Sequence, residues 1–184
     1  MQVHLYDPPE RFVAGTVGEP GQRTFFLQAR AGVRITSVAI EKQQVSALAE
    51  RVDDLLDQVM KAGSEAVVPA MAPLDLDDSG PLDQPIEEEF RAGTMTLSWD
   101  PHDQRVVIEV FPIPVTGIPG PDEDEPEPDE VFLVRISPRD ARAFVKRCVQ
   151  VVRAGRPGCP FCGEAIDPNG HLCVRANGFR RRDP

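Results

Sequence analysis

The residues with the clearest chemical meaning lie near the C-terminus, where three cysteines and a histidine fall within fifteen positions. Two residues separate Cys159 from Cys162, and His171 and Cys173 follow after an eight-residue spacer. Cys-x2-Cys followed by His-x-Cys has the ligand types and the spacing of a tetrahedral zinc site. Because four protein ligands leave no open coordination position, the pattern predicts one structural Zn²⁺ rather than a catalytic ion.

Two other interpretations of these cysteines are a disulfide and a redox-active Cys-x2-Cys pair. The redox motif normally follows a strand and opens a helix. Here Cys159 follows a predicted helix stop at residues 155–158, and Cys162 leads into Gly163 and a turn. Residues 167–170, Asp-Pro-Asn-Gly, supply the turn that would return the chain to the first pair. The surrounding sequence therefore favours zinc.

The segment after the last cysteine is basic, although the chain as a whole carries a net charge of −10. An aromatic ring among arginines could contact RNA, an acidic protein, or an acidic run at residues 122–130 of the chain itself. Overall acidity favours a protein partner over nucleic acid. The candidate partner-binding residues are Arg175, Asn177, Phe179, Arg180, Arg181 and Arg182.

These observations make a non-enzymatic binding or adaptor protein the leading hypothesis. One alternative is RNA binding through the arginine-rich tail; the other is an enzyme or small-molecule-binding protein with a site in the β-rich body. No Gly-rich phosphate loop, His-Glu-x-x-His or Gly-x-Ser-x-Gly motif occurs in the sequence. A concave pocket that gathers His4, Arg11 and several carboxylates would favour an enzyme. The candidates in the body are His4, Tyr6, Asp7, Glu10, Arg11, Asp100, His102 and Asp103.

Composition limits the size and location of the protein. A chain of 184 residues with 41 % apolar residues can form one domain with an appendix. No apolar stretch approaches the ~20 residues of a membrane span, and the N-terminus lacks the pattern of a secretory signal. Three of the four cysteines lie in the ligand cluster, which is typical of a reducing compartment. The sequence therefore predicts a cytoplasmic protein without a membrane partner.

The order of elements predicts an α+β fold made of two β-β-β-α halves. Alternation and β-branched residues predict strands at 12–17, 23–29, 33–40, 94–99, 105–111 and 131–136. Helical spacing of apolar residues predicts a helix over 42–62 and another that begins at Pro138, capped by Ser137 and ended by Gly155. We expect a mainly antiparallel sheet covered by the two helices, with a C-terminal zinc knuckle.

Domain organisation follows from these elements. Residues 1–155 form the body, in which 1–63 and 90–155 could be a pseudo-repeat. A connector at 64–89 and an acidic, proline-rich loop at 112–130 interrupt it, and residues 156–184 hold the knuckle and the basic tail. Apolar residues at 67–76 predict that part of the connector docks on the body. In the second helix Cys148 falls in the apolar stripe, whereas Arg139, Arg142, Lys146 and Arg147 are expected on the exposed side.

Two stretches of the sequence are distinctive when taken together. The N-terminal one is Tyr6-Asp7-Pro8-Pro9-Glu10-Arg11-Phe12-Val13-Ala14-Gly15-Thr16-Val17-Gly18. The C-terminal one comprises residues 159–163, 167–173 and 175–178. In these stretches the chain resembles the DUF3090 family of uncharacterised actinobacterial proteins. The resemblance covers essentially the whole chain and implies a cytoplasmic actinobacterial protein, but it implies no activity.

Overall fold

A computed structural model describes residues 1–19, 21–63, 66–114, 128–154, 159–162, 166, 173 and 175. Four strands precede the first helix: β1 (Gln2–Tyr6), β2 (Arg11–Val17), β3 (Thr24–Ala31) and β4 (Arg34–Ile40). The last three confirm the predicted strands. β1 has no counterpart in the prediction, because its apolar Val3 and Leu5 are exposed and so give no usual burial signal.

The second half confirms the expected sequence of three strands and a helix. After α1 (Lys42–Lys61) come β5 (Glu88–Asp100), β6 (Arg105–Pro112), β7 (Glu130–Ile136) and α2 (Pro138–Arg153). β5 begins at Glu88, so the strand is longer and the connector shorter than predicted. Ser137 caps α2 as expected, since its side chain accepts a hydrogen bond from the backbone N–H of Asp140.

All seven strands belong to one sheet, in the order β1-β7-β6-β5-β4-β3-β2. The parallel pair β4–β5 joins the two halves, and β1 pairs in parallel with β7; the other neighbours are antiparallel. The strands of the two β-β-β-α units therefore lie side by side in one sheet and meet at β4 and β5. A duplication as the origin of this arrangement stays a prediction.

The sheet is strongly curled. β2 and β7 are five strand spacings apart, which is about 24 Å in a flat sheet. The rings of Phe12 on β2 and Phe132 on β7 nevertheless lie 6.2 Å apart. On the same inner side, Tyr6 of β1 is hydrogen-bonded through its hydroxyl to Thr36 Oγ1 of β4, at 2.8 Å. Curling thus brings β1 close to β4.

Both helices pack into the main core inside this curl. The core takes Val52 and Leu56 from α1 and Phe144 and Cys148 from α2, together with inward residues of every strand. Cys148 is a core residue, as predicted. Neither helix among the described residues is long and apolar enough to cross a membrane.

The opposite face of β2–β4 has a smaller core, which the connector covers. Leu82 packs there against Val13, Phe26 and Ala39. Gly15 makes the space, because a Cβ at this position would lie 2.5 Å from Leu82 Cδ2. The connector therefore docks, and part of the predicted region docks with it: within 67–76, Val68 packs against the main core, whereas Val67, Met71 and Leu74 are largely exposed.

Candidate metal centre

Three of the four predicted metal ligands come together at the C-terminal end of the described chain. The Sγ atoms of Cys159, Cys162 and Cys173 all lie within 4.8 Å of one another. A tetrahedral zinc with thiolate ligands holds its sulfurs about 3.8 Å apart, at Zn–S distances of about 2.3 Å. The sulfur separations therefore exceed that spacing by about 1 Å at most. These three cysteines could bind a metal ion.

The local backbone favours the thiolate form of the first cysteine. Cys159 is 5 % exposed, and the backbone N–H of Phe161 donates to its Sγ at 3.4 Å. Burial by itself raises the pKa of Cys159, but the backbone N–H groups of Cys162 and Phe161 and the neighbouring thiols lower that pKa to about 7. Because the thiolate is the metal-binding form, this arrangement is suited to a cation.

The remaining predicted residues of this segment are only partly described. His171, Asn177, Phe179, Arg180, Arg181 and Arg182 lie outside the described residues, so their roles stay predictions. Arg175 is exposed, and its Nη1 donates to the backbone carbonyl of Phe161 at 3.3 Å. This bond ties the chain after Cys173 to the turn between the first two cysteines.

The candidate residues of the body do not assemble into one site. Tyr6 is buried, with its hydroxyl bonded to Thr36 and the Arg34 guanidinium 4.1 Å from its ring centre. Glu10 forms an ion pair with Arg30 at 2.7 Å. Both contacts explain these residues structurally. His4 lies elsewhere, 3.0 Å from Glu130.

Asp7, Asp100 and Asp103 do meet, through an arginine that the sequence did not single out. Arg135 of β7 places Nη2 2.9 Å from Asp100 and 2.6 Å from Asp103, and its Nε lies 2.8 Å from Asp7 without hydrogen-bond alignment. The backbone N–H of Asp103 and the guanidinium of Arg135 lower the pKa of Asp100. His102 is exposed in this hairpin and donates only its backbone N–H to Asp100 Oδ1, at 2.9 Å.

A cavity of about 530 Å³ lies between β2, α2 and the connector. It gathers Arg11, Arg147 and several carboxylates, but His4 does not line it. Arg11 is engaged by both carboxylate oxygens of Asp78, at 2.7 and 3.0 Å, and by Asp83 at 3.0 Å. The cavity therefore has the arginine and the carboxylates expected of an enzyme site, but not the histidine. Its Arg11 is already paired with carboxylates.

Arg147 corrects a prediction, because it is 8 % exposed rather than on the outer side of α2. Its guanidinium donates to the carbonyls of Ala14, Asp78 and Gly80 at 2.9, 2.6 and 2.6 Å. Burial lowers the pKa of Arg147. Arg142 is also buried, and it reaches Asp57 on α1 at 2.6 Å. The helical pattern did not reveal these positions, since a charged side chain is buried only when distant carbonyls or carboxylates pair with it.

Comparison with known proteins gives a family and nothing more specific. No curated protein and no solved structure matches the chain. The sequence model of the family described as "Protein of unknown function (DUF3090)" matches residues 4–173. That span runs from the histidine of β1 to the last cysteine of the metal cluster, and covers most of the chain. The protein therefore belongs to the DUF3090 family.

Proposed function

We propose that the protein binds one structural zinc ion through Cys159, Cys162, Cys173 and His171. The observation that carries this proposal is the convergence of the three sulfurs within 4.8 Å. The thiolate-favouring environment of Cys159 adds support. An imidazole is a natural fourth ligand for a set of three cysteines, and His171 stands two positions before Cys173.

The zinc-bound segment would act as a binding surface rather than a reaction centre. Phe161 is 62 % exposed, and its backbone carbonyl accepts a hydrogen bond from Arg175. Asn177, Phe179, Arg180, Arg181 and Arg182 follow directly. A metal that fixes the start of this segment would present an aromatic and several guanidinium groups together. Such a surface fits an acidic protein partner, because Arg pairs bidentately with carboxylates.

RNA and small-molecule substrates are less well supported. The net charge of −10 opposes general attraction to a polyanion. Arg11 and Arg147, which line the cavity between β2, α2 and the connector, are already bonded to carbonyls and carboxylates. A protein adaptor remains the proposal that needs the fewest further assumptions.

Metal analysis tests the zinc site directly. The purified wild type should contain one zinc per chain, and cobalt exchanged into it should show sulfur-to-metal charge-transfer absorption. Cys162→Ser should lose most of the bound metal, because it removes a thiolate ligand. Cys148→Ala is the matched control, since this cysteine lies in the core of the body and should leave the metal content unchanged. Wild type without metal, or equal metal in both variants, would contradict the site.

Capture of partners from native lysate tests the surface separately. A partner held by wild type and by Cys148→Ala, but lost from Cys162→Ser, would depend on the metal-bound segment. A steep loss of binding with salt, together with sensitivity to nuclease, would instead favour RNA. A partner retained by Cys162→Ser would place the binding surface on the body.

A further inference from the structure

A second group of metal-ligating side chains lies in the body, far in sequence from the cysteines. The Nε2 atom of His4 is 3.0 Å from Glu130 Oε2 and 3.8 Å from Glu89 Oε1. One ligand atom from each of the three residues falls within 4.8 Å of the other two. The group joins an imidazole nitrogen to two carboxylates, which is a mixed nitrogen and oxygen set.

The fold builds this group at the end of the sheet where β6 stops. β1 pairs with β7 so that Gln2 stands opposite Glu130 and His4 opposite Phe132. β6 ends at Pro112, opposite Ala92 of β5. Glu89 therefore lies in the part of β5 that extends past β6, and its side chain meets residues of β1 and β7 there. Three backbone segments, each held by sheet pairing, fix the three side chains.

The Nε2 atom of His4 is the point at which the polar side chains of this group converge. Gln2 Nε2 lies 3.3 Å from the same Nε2 atom that faces Glu130 and Glu89. An amide nitrogen only donates, and an ionised carboxylate only accepts. Turning the exposed Gln2 amide would present its oxygen to the ring, so this contact does not fix the role of Nε2. The two carboxylates offer only lone pairs, and a cation held between them and the ring nitrogen would be shared by all three side chains.

The charges of Glu89 and Glu130 also favour a bound cation. Within the described residues, the ion pairs of Glu89 and Glu130 involve His4, and none brings a lysine or arginine to either glutamate. These two carboxylates therefore have no lysine or arginine beside them among the described residues. By contrast, the neighbouring Glu88 faces Arg91 at 3.7 Å. A divalent ion coordinated by the three side chains would neutralise both carboxylates.

We propose that His4, Glu89 and Glu130 form a second metal site, for a divalent first-row transition ion. Imidazole nitrogen suits such ions, whereas Ca²⁺ and Mg²⁺ prefer oxygen ligands throughout. The carboxylates also separate this site from the cysteine cluster, since thiolates select zinc and carboxylates suit Mn²⁺. His4 has a side chain only 11 % exposed and Glu89 one of 40 %, so the site opens to solvent on the glutamate side. Three protein ligands leave coordination positions there for water.

Paramagnetic Mn²⁺ is the probe that both detects and locates the site. The full-length protein is stripped with EDTA, reloaded with one equivalent of zinc and titrated with Mn²⁺ while amide NMR spectra are recorded. Broadening should begin at residues 2–6, 88–91 and 130–133. His4→Gln and Glu89→Gln should each weaken Mn²⁺ binding at least about tenfold, because each removes a ligand. His102→Gln, in the exposed hairpin at the other end of β5, is the matched control and should bind like wild type.

The spectra also decide the outcome if a variant is unstable, because amide dispersion reports the fold in the same sample. A folded His4→Gln that broadens like wild type overturns the site. So does wild-type broadening centred on residues 122–129 rather than on β1, which would indicate loose binding by the acidic run. Failure of the cysteine site would appear differently, as zinc that does not stay bound, and would leave this result readable.

Discussion

Individual arginines hold the connector against the body, and the buried one should matter far more than an exposed neighbour. Replacing Arg147 by lysine keeps the charge but removes the planar fork that bonds Ala14, Asp78 and Gly80. We expect a loss of about 2 kcal/mol in the free energy of unfolding, as for hydrogen bonds made by a buried charged group. Urea denaturation measures this change.

Arg139→Lys is the control on the same helix. Its side chain is 55 % exposed and makes an ion pair with Asp75 at 2.7 Å. Exposed pairs of this kind contribute about 0.5 kcal/mol or less. Equal losses for the two substitutions would mean that the carbonyl contacts of Arg147 do not support the fold.

Asp78 should make the stability of the protein depend on pH in the acid range. The two hydrogen bonds from Arg11 lower the pKa of Asp78, and the backbone N–H of Gly80 lowers it further. A carboxyl whose pKa is lowered by folding stabilises the protein above its unfolded pKa of about 3.9, and this contribution is lost as the pH falls through the folded pKa. Asp78→Asn removes it at every pH.

The difference in unfolding free energy between wild type and Asp78→Asn should therefore be largest near pH 7, on the order of 1 kcal/mol for a partly exposed pair, and shrink below about pH 4. Urea titrations at a series of pH values measure it. Asp54→Asn on the exposed face of α1 is the control, since none of the ion pairs among the described residues includes Asp54. If this difference in unfolding free energy stayed constant down to about pH 2, the ionised Asp78 carboxylate would not be its source.

At the scale of elements, a buried hydroxyl pair between Tyr6 and Thr36 links β1 to β4, in addition to the pairing of β1 with β7. Tyr6→Phe should destabilise the protein by about 1–2 kcal/mol, because it leaves the Thr36 hydroxyl unpaired in the core. Thr36→Val should lower the free energy of unfolding by a similar amount, because it leaves the Tyr6 hydroxyl without its partner in the core. The double variant should lose less than the sum, by about 1 kcal/mol, since both polar partners are then absent.

Thermal or urea unfolding of the four proteins in this cycle gives the coupling energy. Each of the four proteins keeps Arg34 and an aromatic ring at position 6. The contribution of this guanidinium–ring contact therefore cancels from the coupling energy. Strictly additive losses would show that β1 and β4 are not coupled through this pair.

The elements that could be predicted from sequence are those whose own pattern reports their burial. β5 to β7 and both helices alternate or repeat in register with their buried faces, and Ser137 signals the start of α2. β2 to β4 have runs of consecutive buried residues, so their β-branched and aromatic content predicts them instead. β1 breaks this relation, because Val3 and Leu5 point outward and its partner β7 is distant in sequence. The docking of Leu82 depends equally on a distant feature, the missing Cβ of Gly15.

The site residues divide in the same way. The three clustered cysteines could be found from spacing because they lie close together along the chain as well as in space. Spacing could not identify Arg135, Arg142 and Arg147. Each of these arginines is held by acceptors on other elements, which are distant in sequence. The His4 group likewise needs the curl of the sheet to bring β1 and β5 together.

For the whole molecule, we expect the cysteine cluster and the body to be energetically separable. The main core draws on β1 to α2, and the second core on β2, β3, β4 and the connector. Cys159 and Cys173 are buried but belong to neither core. The segment that holds them is too short to bury a core of its own, so metal binding should supply its folding free energy.

Removal of zinc should therefore unfold the C-terminal segment and leave the body intact. After chelation, amide signals of residues 159–175 should collapse toward random-coil shifts, while those of the sheet and of α1 and α2 keep their dispersion. The melting temperature of the body should change little, because the core contacts do not include the metal ligands. Cys162→Ser without chelator should reproduce this spectrum, and Cys148→Ala should not. Loss of the body signals together with the C-terminal ones would show instead that the metal stabilises the protein as one cooperative unit.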